Sequence, residues 1–320
     1  MGVRGACRYT SRAMLARIAL LEQVLELGLY AAIGSWLAAR HGLGIPAVAL
    51  FMGACLLGAR LVLVCAAFAI AWLNRSPRAA GHHLGVAATV AMVLGEWRAL
   101  LELNLVLLPW ERHVLRPDPT ASPAAKPAIV MVHGYLVNRG CFRTLVRNLE
   151  AGGAGPIFTP NLRSWLAPIE RFEADLAAAI EAVSARTGTK VILVAHSMGG
   201  LGCRAYLARH GCGRVERVIT IASPHHGTAL ASFAVGENAR QMRRHSGFLR
   251  ALAHAEGGHG PGVPFTSIYS AHDNLVAPQE TSLLPWGRNV ALVGIGHVDL
   301  LGSPALAELI LADLRAAGAA

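Results

Sequence analysis

Charge is scarce where this sequence begins. From Leu43 to Leu73 the one charged residue is Arg60, and from Leu15 to Ala39 there are only Arg17, Glu22 and Glu26. Lysine is nearly missing from all 320 residues: Lys126 and Lys190 stand against an arginine excess that brings the formal net charge to +10. Those arginines are scattered and fall in no recognised motif, which argues against nucleic acid as a partner. They suit an anionic membrane surface, and equally the arginine- and alanine-rich composition of a high-GC bacterial genome. No C-x-x-C occurs among the six cysteines. The His225-His226 pair has no cysteine, aspartate or third histidine at ligand spacing beside it, so no metal site is expected. Cys203 and Cys212 stay open as either a disulfide in an oxidising compartment or a structural thiol pair.

What replaces charge in the first third is long apolar sequence. Leu15–Ala39, Leu43–Leu73 and Leu84–Leu108 each exceed the roughly 20 residues that cross a bilayer. The third is broken by Glu96, Arg98 and Glu102. Residues 1–110 therefore read as a helical membrane region of two to three spans, followed by a linker over 111–127. The first run is too long for a cleaved signal peptide and more membrane-like sequence follows it. The alternative is an apolar helical cap on the domain downstream. Glu22, Glu26, Arg60, Glu96 and Arg98 are expected to pair between helices, because an isolated charge there is costly. Arg4, Arg8, Arg12 and Arg17 place the N-terminus in the cytoplasm. Three spans would then carry the remainder to the periplasmic side of a bacterial inner membrane. If the third segment is interfacial, the remainder stays inside.

From residue 128 the pattern changes to short buried strands alternating with helices. Val191 to Ala195 is an apolar strand that runs into His196-Ser197-Met198-Gly199-Gly200, and Leu201 to Arg209 reads as a helix. A strand, a tight turn with small residues at Ala195 and Gly199, and a helix form the context that gives small-x-Ser-x-Gly its meaning. The turn holds the hydroxyl clear of the sheet, at a helix N-terminus that favours developing negative charge. Ala128 to Val132 is a strand entering His133-Gly134-Tyr135-Leu136. Pro264 to Ser270 is another and leads to Asp273, and Asn289 to Ile295 leads to Gly296-His297. The serine, acid and histidine follow one another in the order Ser197, Asp273, His297.

These pieces, with Ser223-Pro224-His225-His226-Gly227-Thr228, resemble an α/β-hydrolase of the lipase/esterase type, similar to bacterial triacylglycerol lipases. The likeness covers about 126–320 and says nothing of the first third. It implies a reduced α/β-hydrolase fold over 128–320, with about six mostly parallel strands and no early antiparallel pair. It also implies a Ser197 nucleophile, a His297 base and an Asp273 orienting acid. The backbone N–H groups of Tyr135 and Met198 would form the oxyanion hole, the Tyr135 side chain being incidental to it. No cofactor or metal is called for. Asp299 lies too near His297 in sequence to reach behind its ring, and Asp175 reads as a solvated helix charge. His133 and His196 read as packing or hydrogen-bonding residues, and His245, His254 and His259 as surface residues.

Between Ala222 and Pro264 lies an insertion, with a cap over about 229–262. Met242, Phe248, Leu249 and Leu252 share an apolar helical face. Both an ordinary helix packed on the sheet and a lid lining an acyl pocket fit that pattern. Leu136, Met242, Phe248 and Leu249 are the candidate substrate-binding side chains. The expected activity is hydrolysis of an ester or lipid by a membrane-anchored enzyme. Acyl transfer by the same triad, or a transporter or interaction protein carrying an inert hydrolase domain, are the alternatives.

Overall fold

Two long helices open the chain, and nearly all of their surface faces outward. The computed structural model describes residues 14–77, 80–120, 126–163 and 166–320. Cys7 and the arginines at 4, 8 and 12 lie outside the described residues. Helices α1 (Met14–His41) and α2 (Ile45–Leu73) form a hairpin, and both are long and apolar enough to cross a membrane. Inside the hairpin Arg60 makes a bidentate ion pair with Glu26, and the Tyr30 hydroxyl donates to the same carboxylate. The expected pairing of internal charges is met here.

The third apolar stretch behaves differently. It forms α3 (Val86–Glu102), runs on as a π-helical turn over Leu103–Leu107, and ends in the short α4 (Glu111–Val114). It is not among the helices that pass as membrane spans, of which the described residues contain two. It is 17 residues long, and Glu96 and Arg98 break its apolar face and reach polar partners on the following domain. Leu103, Leu107, Leu108 and Leu115 are buried in one core with Ile129, Met131 and Ile192 of the sheet. The helical region and the sheet domain therefore share a core across 103–115.

The sheet has six strands: β1 (Ala128–Val132), β2 (Ile157–Phe158), β3 (Val191–His196), β4 (Val215–Ile221), β5 (Phe265–Ser270) and β6 (Arg288–Leu292). They pair in the order β2-β1-β3-β4-β5-β6, every pair parallel. β1 and β3 are buried along their whole length, as continuous apolar runs in a two-sided parallel sheet must be. Successive side chains point to opposite faces. Ile129, Met131, Ile192 and Val194 join one core with α5 (Arg143–Ala151) and α10 (Pro304–Ala316). Ala128, Val130, Val132, Leu193 and Ala195 join the other with α6 (Ile169–Thr187) and α7 (Met198–His210). Helices therefore cover both faces, and the functional loops are left at the C-terminal ends of the strands. The insertion after β4 holds α8 (Glu237–Gln241) and α9 (Gly247–Glu256).

Candidate active site

Ser197 sits between β3 and α7 with φ 55° and ψ −128°. A non-glycine residue rarely adopts such a backbone, and strain of this kind marks functional turns. The surroundings hold it there: the Ser197 N–H donates to Ile221 O at 2.8 Å. Small neighbours are required because the chain is crowded. A Cβ on Gly199 would come within 2.5 Å of Val132 O, and one on Gly134 within 2.9 Å of the Ser197 Cβ. The second contact brings the turn at Gly134 against the serine, with the Met198 amide nitrogen 3.5 Å from the same Cβ position. Two residues on, Leu136 is itself held at φ 54°.

His297 and Asp273 come together at the ends of neighbouring strands. The His297 Nδ1 donates to Asp273 Oδ2 at 2.9 Å, and both side chains are almost fully buried. Asp273 Oδ1 accepts from the Leu275 and Val276 amides, each at 2.7 Å, which fixes the carboxylate. Burial would lower the His297 pKa, but the Asp273 carboxylate and then Glu96 outweigh it, and the net shift is upward. His196, the residue before the nucleophile, has its ring 4.7 Å from that of His297. Burial above all keeps His196 neutral, its pKa well below the ordinary imidazole value. Ser197, His297 and Asp273 thus share one end of the sheet.

The rival residues have other partners. Asp299 is paired with Arg98 at 3.1 Å, and Asp175 with Arg163 at 2.8 Å. His133 Nε2 accepts from the Leu162 amide at 3.0 Å, which ties β1 to the loop after β2. Burial pushes its pKa down to about 4, so it remains a neutral acceptor. His225 shares a hydrogen bond with Thr220, and the His226 ring donates to Leu283 O. Among the described residues no group of three or more His, Cys, Asp or Glu side chains could hold a metal ion. Cys203 and Cys212 are both free thiols, Cys203 fully buried in α7, so the disulfide alternative is not formed.

The insertion is anchored rather than loose. Arg204 of α7 is buried and bonds Glu256 of α9 through two contacts of 2.6 Å, with a third bond to His225 O. Met242, Leu249 and Leu252 are buried in the core containing Tyr206 and Leu207, and Phe248 packs against it. The apolar face of α9 is therefore packed on α7 and the core beneath it. The segment nearer the site is 233–235. The Tyr135 hydroxyl donates to Val235 O at 2.6 Å and accepts from Val235 N–H at 3.2 Å. Phe233 is 74 % exposed and Val235 63 %.

Several supporting residues escaped the sequence reading. Asn274 Oδ1 accepts from the His297 amide at 2.9 Å, and Gln279 Nε2 donates to Asp273 O at 2.9 Å. Ser76, just past α2, donates its N–H to Gln279 Oε1 and accepts from the Glu280 amide. Glu96 accepts from the backbone beside His297. Asn274 was adjacent to a marked motif and could have been noticed. Ser76 and Glu96 lie some two hundred residues away; Ser76 carried no local signal, and Glu96 stood out only as a charge in an apolar stretch.

A strained serine elbow over a parallel sheet thus shares one end of that sheet with a buried histidine–aspartate pair. The alpha/beta hydrolase family model matches residues 129–315. The chain belongs to the alpha/beta hydrolase family. Among solved structures it is similar to the mature lipase BlEst2 of Bacillus licheniformis, with a TM-score of 0.52 and 20 % identity over 62 % of this chain and 99 % of that one. It is also similar to lipase B of Aspergillus fumigatus, with a TM-score of 0.59 and 17 % identity over 91 % of this chain and 86 % of that one. At these identities the likeness concerns the fold.

Proposed function

We propose that the protein is a membrane-anchored serine hydrolase acting on carboxylic esters, with lipid esters as the favoured class. The observation that carries this reading is the His297–Asp273 hydrogen bond at the end of the sheet that bears the Ser197 elbow. That the two similar folds are called lipases supports the ester class.

In the proposed cycle the neutral His297 takes the Ser197 Oγ proton as that oxygen attacks the ester carbonyl carbon. Asp273 holds the ring orientation and stabilises the imidazolium. The amides of Tyr135 and Met198 receive the developing oxyanion, each worth about 3–4 kcal/mol in such sites. Collapse expels the alcohol, which receives the proton from His297. Water, deprotonated in turn by His297, then releases the acid and restores Ser197. Leu136 and the exposed Phe233 and Val235 offer an apolar rim for an acyl chain.

Helices α1 and α2 are the proposed anchor, their exposed apolar surface being suited to lipid. The docking of α3 on the catalytic domain supports two crossings rather than three. Two crossings return the domain to the side of the arginine-rich N-terminus, the cytoplasmic face. Labelling of membrane fractions with a fluorescent fluorophosphonate tests the chemistry. Wild type is expected to label and Ser197→Ala is not; equal labelling of both sinks the reading.

A further inference from the structure

Glu96 is a carboxylate with an unusual position: it stands on α3, outside the matched hydrolase segment, yet it is 2 % exposed and bonded to the turn after His297. The Val298 N–H is shared between its two oxygens at 3.1 and 3.0 Å, and the Asp299 N–H donates to Oε2 at 2.9 Å. Those amides begin the 3₁₀ turn Asp299–Gly302 and have no partner within it, so a carboxylate satisfies them as a helix cap would. Close packing makes the fit specific. A Cβ on Gly296 would collide with the Glu96 carboxylate, and one on Gly95 would reach within 2.6 Å of Asp299 Oδ2. Arg98 adds an ion pair to Asp299 at 3.1 Å.

His297 is consequently gripped on both sides along the chain. Before it in the chain, Asn274 takes its own amide; after it, Glu96 takes the next two. We infer that Glu96 is a positioning residue for His297, so that the N-terminal helical region completes the active site as well as anchoring it. This rests on the triad reading above. Glu96 acts through the backbone and touches no reacting atom. It also places a second carboxylate near the ring, beside Asp273, while the neutral His196 is the other titratable group facing it. Burial raises the Glu96 pKa and its two backbone partners oppose that rise.

Full-length Glu96→Ala and Glu96→Gln, extracted in detergent, test the inference alongside wild type and Ser197→Ala. The readouts are kcat and KM on a short-chain ester, the rate of fluorophosphonate labelling, the pH profile of kcat/KM and the thermal midpoint. A misplaced catalytic group typically costs about 10²-fold. Glu96→Ala is expected to lose about that in kcat and labelling rate with KM nearly unchanged. Glu96→Gln keeps an acceptor oxygen and should recover most of kcat. Its acid limb should move to lower pH, because a charge favouring the imidazolium is gone. Wild-type kcat and acid limb in both variants overturn the inference. So does a loss that follows the thermal midpoint alone, with no rescue by glutamine. If folded wild type itself fails to label, the serine-hydrolase reading falls, and this one with it. If wild type labels and Glu96→Ala labels equally fast, the inference alone falls.

Discussion

The α1–α2 hairpin and the sheet domain are made of similar apolar residues and put them to opposite use. β1 and β3 are fully buried, whereas Leu21, Val24, Leu25, Leu50, Val62 and Leu63 of the hairpin face outward. Apolar surface left in water forfeits about 25 cal/mol per Å², so hydrophobic burial within the chain cannot be what holds the hairpin. Polar groups are inverted too. The hairpin hides one ion pair, Arg60 with Glu26, while the sheet domain buries several ionisable groups, among them Arg204 with Glu256 between helices and His297 with Asp273 at the strand ends. Helix α3 lies between the two regimes: Val86 and Val90 are exposed, and Glu96 enters the site. The difference teaches that apolar content alone does not separate a membrane span from a docked helix. The partners of its few charges do.

The sharpest way to break the comparison is to separate chemistry from anchoring. His297→Ala should lower kcat by about 10⁶-fold and Asp273→Asn by about 10⁴-fold, both leaving the protein in the membrane fraction, as ester turnover and fractionation would report. In wild type the acid limb of kcat/KM should fall above the ordinary imidazole range, since the His297 pKa is raised and only the neutral ring accepts the serine proton.

Two buried arginine–carboxylate pairs, one in each region, supply the next test. Arg204→Ala strands the buried Glu256, and about 3–5 kcal/mol of domain stability should be lost, measured by chemical unfolding in detergent. Glu26→Leu strands Arg60 in the hairpin at a cost of about 2.5–3.5 kcal/mol. Less protein should then accumulate in membranes, and adding Arg60→Leu should restore it. If Glu26→Leu has no effect while Arg204→Ala does, the hairpin's interior is not lipid-like.

The smallest effect is a pH dependence confined to the sheet domain. Burial lowers the His133 pKa from 6.5 to about 4, so the fold binds this proton less readily than the unfolded chain. The stability it contributes is complete above pH 6.5 and is lost as pH falls toward 4. The difference corresponds to roughly 3 kcal/mol. Unfolding titrations of wild type and His133→Gln between those pH values should diverge by that order.

The strands were legible because a parallel sheet buried on both faces needs continuous apolar runs: Ala128–Val132 and Val191–Ala195 were visible as such. Ser197 was legible because its turn needs small residues on either side. Met242 and Leu249, which suited a packed helix and a lid alike, show the limit. Helical periodicity reports that a face is buried, and is silent on what covers it; here α7 does, fixed by Arg204 and Glu256. The third apolar stretch shows the same limit, since its length suited a bilayer and its charges found protein.

By itself the sequence determined the local matters: which runs are strands, where the elbow turns, and the order of Ser197, Asp273 and His297. These follow from side-chain period and turn sterics within a few residues. Only the tertiary structure decided that α3 docks on the sheet domain, that α9 packs on α7, and that Glu96 and Asn274 hold His297 from either side. Each of those joins groups distant along the chain, and spacing in one dimension carries no record of which surfaces meet. The decisive physics is the pairing of backbone amides and charges once the core has closed around them.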